Sequence, residues 1–335
     1  MEEKSFDCFD LHFFAMMKIN TRPRGWITDS DRGAAAWKEI MSKPIFSIVD
    51  VFAERRYAGN QLAVFRHTEG LSDEEMQSIA KETNFSETTF ILSDKQRNGG
   101  YDVRIFTPAR EVPFAGHPTL GTAFVLQRDV VGRSVGEIRL NLAVGRIPVS
   151  IHYVEGRVDR LQMKQKAPDF GEVFPPEKVA EFLSLAPDEL DAHYPVQDVS
   201  TGLPFMIVPV QRLASMRKAR VVRDAFFRMV ENSRAKAPLL FCPETYHEEN
   251  DLNVRVFVDY YDIPEDPATG SGNGCLAGYL VKHRYFEGDE VKVRVEQGYE
   301  IGRPSLLFLD ASGKGEKIEV RVGGRVVPVA EGEWG

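Results

Sequence analysis

An internal repeat is the feature that most constrains the fold of this chain. Residues 103–106 match residues 254–257, and residues 111–117 match residues 265–271 at an offset of 154 residues. An apolar segment follows each copy, at residues 123–126 and 277–280. Two copies favour a duplicated domain over a solenoid, which needs about three or more repeats to bury its core. The sequence therefore predicts two similar halves.

Each copy of the repeat places a glycine directly before a helix that is apolar on most faces: Gly116 in one half and Gly270 in the other. Such a helix is expected to be buried all round, so its first N–H groups need partners. An anion supplies them, and glycine permits its close approach. The turns thus predict a shared anion site, although a simple strand-to-helix turn remains the alternative. Matched polar residues at His117 and Ser271 favour the anion site.

Three side chains are candidate proton carriers. Glu87 stands at the mouth of an apolar strand, where it is either a solvated edge residue or a buried base with a raised pKa. His117 is either a capping residue or a group that titrates near neutral pH. Asp266 precedes a proline and is alternatively a turn former. No pair of histidines or cysteines has the spacing of metal ligands, so we expect no metal.

Charge and composition exclude several classes of protein. The net charge of −8 comes with no basic stripe, which argues against a nucleic-acid binder. No run approaches the roughly 20 apolar residues that a membrane span needs. Three widely spaced cysteines fit a reducing compartment, and the acidic start of the chain is unlike a secretory signal. We therefore expect a cytoplasmic protein.

The strand-like pattern begins at residue 44, so residues 1–43 are interpreted as an extension outside the core, with a short helical possibility at 31–41. Residues 44–160 are predicted to form a first lobe, with 325–335 as a possible completion, and 161–324 a second lobe. Residues 168–176 resemble a linker. Ser72 and Glu75 form a capping box that predicts a helix to about residue 81. Further helices are predicted at 119–128, 177–185 and 274–284.

Taken together, these residues resemble the phenazine-biosynthesis isomerase-like (PhzF-like) family, from residue 44 to about residue 332. The resemblance rests on motifs at residues 50–52 with 59–60, 84–88, 114–118 and 265–271, with further matches at 297–298 and 322–324.

The resemblance implies an α+β, diaminopimelate-epimerase-like fold: two pseudo-symmetric lobes, each a β-barrel around a central helix, with the active site between them. It also implies a homodimer that uses no organic cofactor. By motif, Glu87 is the residue that moves a proton between substrate carbons. His117, Asp266 and Ser271 match the accompanying catalytic positions. The substrate-binding positions are assigned to Gly116, Gly270 and Ser86.

Related epimerases of this fold carry two catalytic cysteines, and these positions correspond to Ala115 and Thr269 here. Neither side chain can abstract a proton from carbon, so two-thiol epimerisation is disfavoured. Cys275, further along the second helix, is interpreted as a core residue. The resulting hypothesis is a cofactor-free proton shift on a small carboxylate, with Glu87 as acid and base. The alternatives are a catalytically silent anion-binding protein and a racemase that uses non-thiol bases.

Overall fold

The computed structural model describes residues 43–261, 263–314 and 317–335. Residues 1–42, which include most of the proposed extension and its possible helix, lie outside the described residues. The described residues form these helices: α1 (Asp73–Thr83), α2 (Gly116–Val125), α3 (Pro176–Phe182), α4 (Leu213–Lys218), α5 (Arg223–Val230) and α6 (Gly270–Lys282). They also form these strands: β1 (Ile45–Val51), β2 (Asn60–Arg66), β3 (Thr88–Ile91), β4 (Tyr101–Phe106), β5 (Glu111–Val112), β6 (Glu137–Leu142), β7 (Gly145–Val154), β8 (Arg157–Lys164), β9 (Asp169–Val173), β10 (Gln197–Ser200), β11 (Pro204–Pro209), β12 (Pro238–Cys242), β13 (Leu252–Val258), β14 (Ile263–Asp266), β15 (Glu290–Gln297), β16 (Ser305–Lys314), β17 (Lys317–Gly324) and β18 (Val326–Glu333).

The strand pairings of the first half recur in the second half. β1 pairs antiparallel with β2, β2 parallel with β3, and β3 antiparallel with β4. β10, β11, β12 and β13 repeat this order and these directions. The parallel pairing of β4 with β6 likewise matches that of β13 with β15, and each half continues through two antiparallel neighbours. The duplication read from the sequence is therefore a duplication of the complete strand order.

Each lobe takes one strand from beyond its own half of the repeat. β9 follows β8 in the chain but pairs with β10 of the second lobe. β18 follows β17 and pairs with β1 of the first lobe. The interpretation of residues 168–176 as a linker is therefore wrong for the part that forms β9. Its side chains are all exposed or half-buried, so the segment carries little hydrophobic signal in the sequence.

The two central helices, α2 and α6, are surrounded by the strands of their own lobes. Nine of the ten residues of α2 are buried, as are eleven of the thirteen residues of α6. α2 contacts strands of the first lobe, including β1 and β2, while α6 contacts strands of the second, including β16 and β17. This agrees with the all-round apolar pattern, which leaves neither helix a face suited to water.

Helix boundaries differ from the predictions by a few residues at these central helices. α2 begins at Gly116, and its last predicted turn is π-helical over Leu126–Val131. α6 begins at Gly270 rather than at residue 274 and ends at Lys282. Both glycines therefore belong to the first turn of their helices. The predicted capping box of α1 is confirmed, because Ser72 accepts from the Glu75 backbone and Glu75 accepts in return.

No helix formed by the described residues is both long enough and apolar enough to cross a membrane.

Candidate active site

The N-termini of α2 and α6 meet at their glycines. A Cβ atom built on Gly116 would lie 3.7 Å from the Cα of Gly270 and 3.7 Å from the backbone nitrogen of Ser271. Neither helix has a side-chain cap at its N-terminus. The first N–H groups of a helix have no intrahelical partners, and the helix dipole makes this end favourable for negative charge. Two such ends in contact form a site suited to one small anion.

Glu87 lies in the loop between α1 and β3, one residue before the strand begins. Its side chain is only 19% exposed, so it is not a solvated edge residue. Burial, together with the nearby carboxylate of Asp266, raises the pKa of Glu87 to about 8. A carboxyl group with this pKa exchanges its proton close to neutral pH, which is the range useful to a general acid or base.

His117, in the first turn of α2, faces Glu87. Its Nε2 atom lies 3.5 Å from Oε2 of Glu87, and neither atom has a hydrogen-bond partner among the described residues. Burial lowers the pKa of His117 to about 3, partly opposed by a hydrogen bond to the backbone of Gln61. The imidazole is therefore neutral at physiological pH, and Nε2 is available to accept a hydrogen bond from protonated Glu87 or from a ligand.

Asp266 comes from the second lobe, at the end of β14. Its Oδ1 atom accepts a hydrogen bond of 3.0 Å from the Nδ2 of Asn60, a residue of the first lobe. Its Oδ2 accepts a hydrogen bond from the hydroxyl of Thr269. Burial raises the pKa of Asp266 to about 6, and these two hydrogen bonds act in the opposite direction. The structure thus brings Glu87, His117 and Asp266 together across the two lobes.

Ser86 and Ser271, the two serines that the sequence assigns to the site, are both half-buried. Ser86 directly precedes Glu87, and Ser271 is the second residue of α6, with its backbone nitrogen next to Gly116.

The positions that hold thiols in related epimerases carry no proton carrier here. Ala115 and Thr269 are the residues that precede the first turns of α2 and α6, and the Thr269 hydroxyl is engaged with Asp266. Cys275 is fully buried, and burial raises the pKa of its thiol to about 12. It is a core residue, as its place in an apolar helix indicates.

Two polar residues at the site have no role in the sequence-based interpretation, although both lie in the motifs of the resemblance. Asn60 reaches Asp266 from the first lobe. Gln297, at the end of β15, contacts the turn that contains Asp266 and Thr269. Both are buried amides, and a buried amide is costly unless it is hydrogen-bonded. The local sequence does not indicate burial at either position, because the partners lie 24 or more residues away.

Within the described ranges, no group of three or more His, Cys, Asp or Glu side chains is arranged to hold a metal ion.

Two paired lobes with buried central helices define the diaminopimelate-epimerase-like fold. Among solved structures, the chain is similar to a phenazine biosynthesis protein of the PhzF family from Bacillus anthracis. That match has a TM-score of 0.80, 28% identity, and covers 88% of this chain and 99% of the other. A probable proline racemase from Agrobacterium radiobacter shares the fold at a TM-score of 0.57 and 11% identity, covering 87% of this chain and 93% of the other.

Residues 49–332 match the model of the PhzC-PhzF family, described as phenazine biosynthesis-like protein. An uncharacterized isomerase of Mesorhizobium japonicum is 33% identical over 86% of this chain and 97% of its own length. The trans-2,3-dihydro-3-hydroxyanthranilate isomerase of Pseudomonas aeruginosa is 32% identical over 86% of this chain and 98% of its length. The chain belongs to the phenazine biosynthesis-like PhzC-PhzF family. It is a PhzF-like isomerase, which confirms the family and the enzyme class read from the motifs.

Proposed function

We propose that this isomerase moves a proton between two carbons of a small carboxylate, without a cofactor, and that Glu87 carries the proton. The observation that carries the proposal is the placement of the Glu87 carboxyl group. It is mostly buried, faces His117, and belongs to the same site as the two facing helix N-termini. The site therefore combines an anion-binding surface with a proton carrier that titrates near pH 8.

In the proposed reaction the substrate carboxylate accepts hydrogen bonds from the N–H groups at Gly116 and Gly270. Ionised Glu87 removes a proton from one carbon and becomes the neutral acid. It then delivers that proton to a second carbon of the same molecule, which returns Glu87 to its ionised form. Neutral His117 accepts a hydrogen bond at Nε2, because its N–H is donated to the backbone of Gln61, and Asp266 and Ser271 hold polar groups of the substrate.

A positioned base contributes roughly 10²–10⁴-fold to the rate. The remaining acceleration is assigned to orientation and to the donors at the helix N-termini, which stabilise the charge that develops on the substrate carboxylate.

The symmetry of the lobes favours isomerisation over two-base racemisation. Glu87 directly precedes β3, and the residue that directly precedes the equivalent strand β12 is Ala237. The second lobe therefore lacks a carboxyl group at the position equivalent to Glu87. A racemase needs proton carriers on opposite faces of one carbon, and the carboxyl group that the second lobe does supply, Asp266, is held by hydrogen bonds from Asn60 and Thr269, whereas Oε2 of Glu87 has no partner among the described residues. A catalytically silent anion binder would have no need of the raised pKa at Glu87.

The first experiment uses trans-2,3-dihydro-3-hydroxyanthranilate, the substrate in the name of the Pseudomonas relative, together with a thermal-shift screen of small cyclic and amino-acid carboxylates. Any compound that binds is incubated with enzyme in deuterated water and examined by NMR. Isomerisation gives a product with a C–H bond at a new carbon, which carries deuterium only to the extent that Glu87 exchanges its proton with solvent before delivery, while racemisation places deuterium at the deprotonated carbon with loss of chirality.

Glu87→Gln is expected to bind the same ligand and to lose at least about 10²-fold in turnover. Glu82→Gln, on the exposed face of α1, is the matched control and should keep the wild-type rate. Full turnover by Glu87→Gln with normal binding would remove Glu87 from the mechanism.

A homodimer is also proposed, on the resemblance to the family, and a cytoplasmic location, on the three widely spaced cysteines. Light scattering of the purified protein tests the dimer, and cell fractionation tests the location.

A further inference from the structure

Gln297 is fully buried at the end of β15, and its side-chain amide makes four hydrogen bonds. Its Oε1 accepts from the backbone nitrogen of Thr269 at 3.1 Å and from the Nδ2 of Asn273 at 2.9 Å. Its Nε2 donates to the backbone oxygen of Asp266 at 2.8 Å and to the hydroxyl of Thr269 at 3.0 Å. The orientation of the amide is fixed, because a backbone N–H can only donate and a backbone oxygen can only accept.

The contact with Gln297 also fixes the direction of the Thr269 hydroxyl. A hydroxyl has one proton to donate, and here its oxygen already accepts from the Gln297 amide, whose nitrogen cannot act as an acceptor. The hydroxyl proton is therefore directed to Oδ2 of Asp266. A carboxyl oxygen that receives a proton donor is stabilised in its ionised form.

The two neighbouring carboxyl groups differ in the donors that they receive. Both oxygens of Asp266 accept hydrogen bonds, one from Asn60 and one from Thr269. Oε2 of Glu87 accepts none from the described residues and faces neutral His117. The hydrogen bonds thus favour negative charge on Asp266 and a proton on Glu87 when the site holds a single negative charge.

Other charged groups near Asp266 do not reverse this assignment. Glu265, on the same strand, raises the pKa of Asp266, but its carboxylate is paired with Arg255 of β13 at 2.7 Å. Glu300, in the loop after β15, lies 4.0 Å from the same arginine. From the first lobe, the ionisable group that interacts electrostatically with Asp266 is Glu87.

The first lobe has no counterpart to Gln297. Leu140 pairs with Tyr101 in the first lobe, and Val295 pairs with Leu252 at the equivalent place in the second. Gln297 lies two residues after Val295, so the equivalent position in the first lobe, two residues after Leu140, is Leu142. A leucine satisfies the packing at this point of a barrel without any polar group. The amide in the second lobe is therefore not required by the fold.

We propose that Gln297 is a positioning residue for catalysis: acting through the Thr269 hydroxyl, it holds Asp266 as an anion beside Glu87 and so makes Glu87 a stronger base. The inference rests on the proposed function for the role of Glu87. The arrangement of Gln297, Thr269 and Asp266 is independent of it. Thr269 stands where related epimerases carry a catalytic thiol, and in this chain that position supports a carboxylate instead.

The test is a titration of side-chain carboxyl carbons by ¹³C NMR in the absence of substrate, with the Asp266 signal assigned by its loss in Asp266→Asn. Gln297→Met and Thr269→Val are each expected to raise the Asp266 midpoint by about one pH unit, because one donor to the ionised form is lost. The double variant should raise it no further than the single ones. Thr269→Ser, which keeps the hydroxyl, should retain the wild-type midpoint.

An unchanged Asp266 midpoint in Gln297→Met, or an effect that adds fully to that of Thr269→Val, would overturn the proposal. Should Gln297→Met not fold, Thr269→Val against Thr269→Ser decides, since valine has nearly the shape of threonine without its hydroxyl. With a substrate in hand, the midpoint of kcat/KM assigned to Glu87 should move to lower pH in Gln297→Met. Full activity of Glu87→Gln would refute the proposed function while leaving the substrate-free titration to decide this inference.

Discussion

Gly116 and Gly270 stand against each other so closely that a Cβ atom on Gly270 would lie 3.9 Å from the Cα of Gly116. This contact joins the N-termini of the two central helices, which belong to different lobes. The anion-binding groups therefore form a single surface, to which each lobe contributes one helix end.

Gly116→Ala is expected to weaken binding of a carboxylate ligand by tenfold or more while changing the free energy of unfolding by only about 0.5 kcal/mol. The added methyl group would meet the Cε of Met163 at 3.4 Å and no closer atom, so the folded protein accommodates it. It would occupy the space between the two helix ends. Calorimetric binding and urea unfolding measure the two effects, with Gly136→Ala as the control because its added Cβ meets nothing within 4 Å.

The stability of the protein should depend on pH through Glu87. Its pKa is raised from 4.5 to about 8, so between these values the folded protein retains a proton that the unfolded chain has lost. The free energy of unfolding therefore falls as pH rises through this window, by at most about 1.4 kcal/mol per pH unit from this group. Glu87→Gln should remove this contribution, and its stability advantage over the wild type should grow from pH 5 to pH 8 in urea titrations. A constant difference across that range would mean that Glu87 is not protonated in the folded protein.

The ion pair between Arg303 and Asp50 joins the lobes and is expected to matter for stability. Arg303 donates to Oδ1 of Asp50 at 2.7 Å, and the Asp50 side chain is only 2% exposed. Arg303→Met leaves this buried carboxylate without its cation, and such a loss costs about 3–5 kcal/mol. Glu290→Gln breaks the exposed pair with Lys292 and should cost at most about 1 kcal/mol. Comparable losses in the two variants would show that the Arg303 pair is as weak as a surface pair.

Buried thiols should not react in the folded protein. Cys242 and Cys275 are fully buried, and burial raises the pKa of each to about 12. In a Cys8→Ser background, a disulfide reagent is expected to label neither thiol within minutes and both after unfolding in urea. Activity should survive the treatment. Rapid labelling with loss of activity would indicate that a thiol takes part in the reaction.

The sequence predicts the elements whose signal is local. The capping box of α1 needs only Ser72 and Glu75, and the repeat identifies both central helices together with their glycines. The observed strands β2 and β4 carry continuous or alternating apolar residues, so their signal is also local. These features depend on the periodicity and capping of neighbouring residues, so they can be recognised from the sequence alone.

The features that the sequence does not predict depend on distant partners. Glu87 reads as a solvated edge residue on composition alone, because the groups that it meets in the fold, His117 and Asp266, lie far from it in the sequence. β9 reads as a linker because its partner, β10, lies more than twenty residues further along. Asn60 and Gln297 are ordinary polar residues until their hydrogen-bond partners are known.

The pairing of β18 with β1 has a consequence for how the molecule loses its structure. The first lobe completes its sheet with β18, which enters from the far end of the chain, whereas the second lobe, from β9 to β17, is one continuous segment that lies between the two parts of the first. Opening of the first lobe releases β18 from β1 and leaves an unpaired edge, and the same holds for β9 at β10. We therefore expect residues 43–335 to unfold in one cooperative transition, with hydrogen exchange in both central helices limited by the same global event.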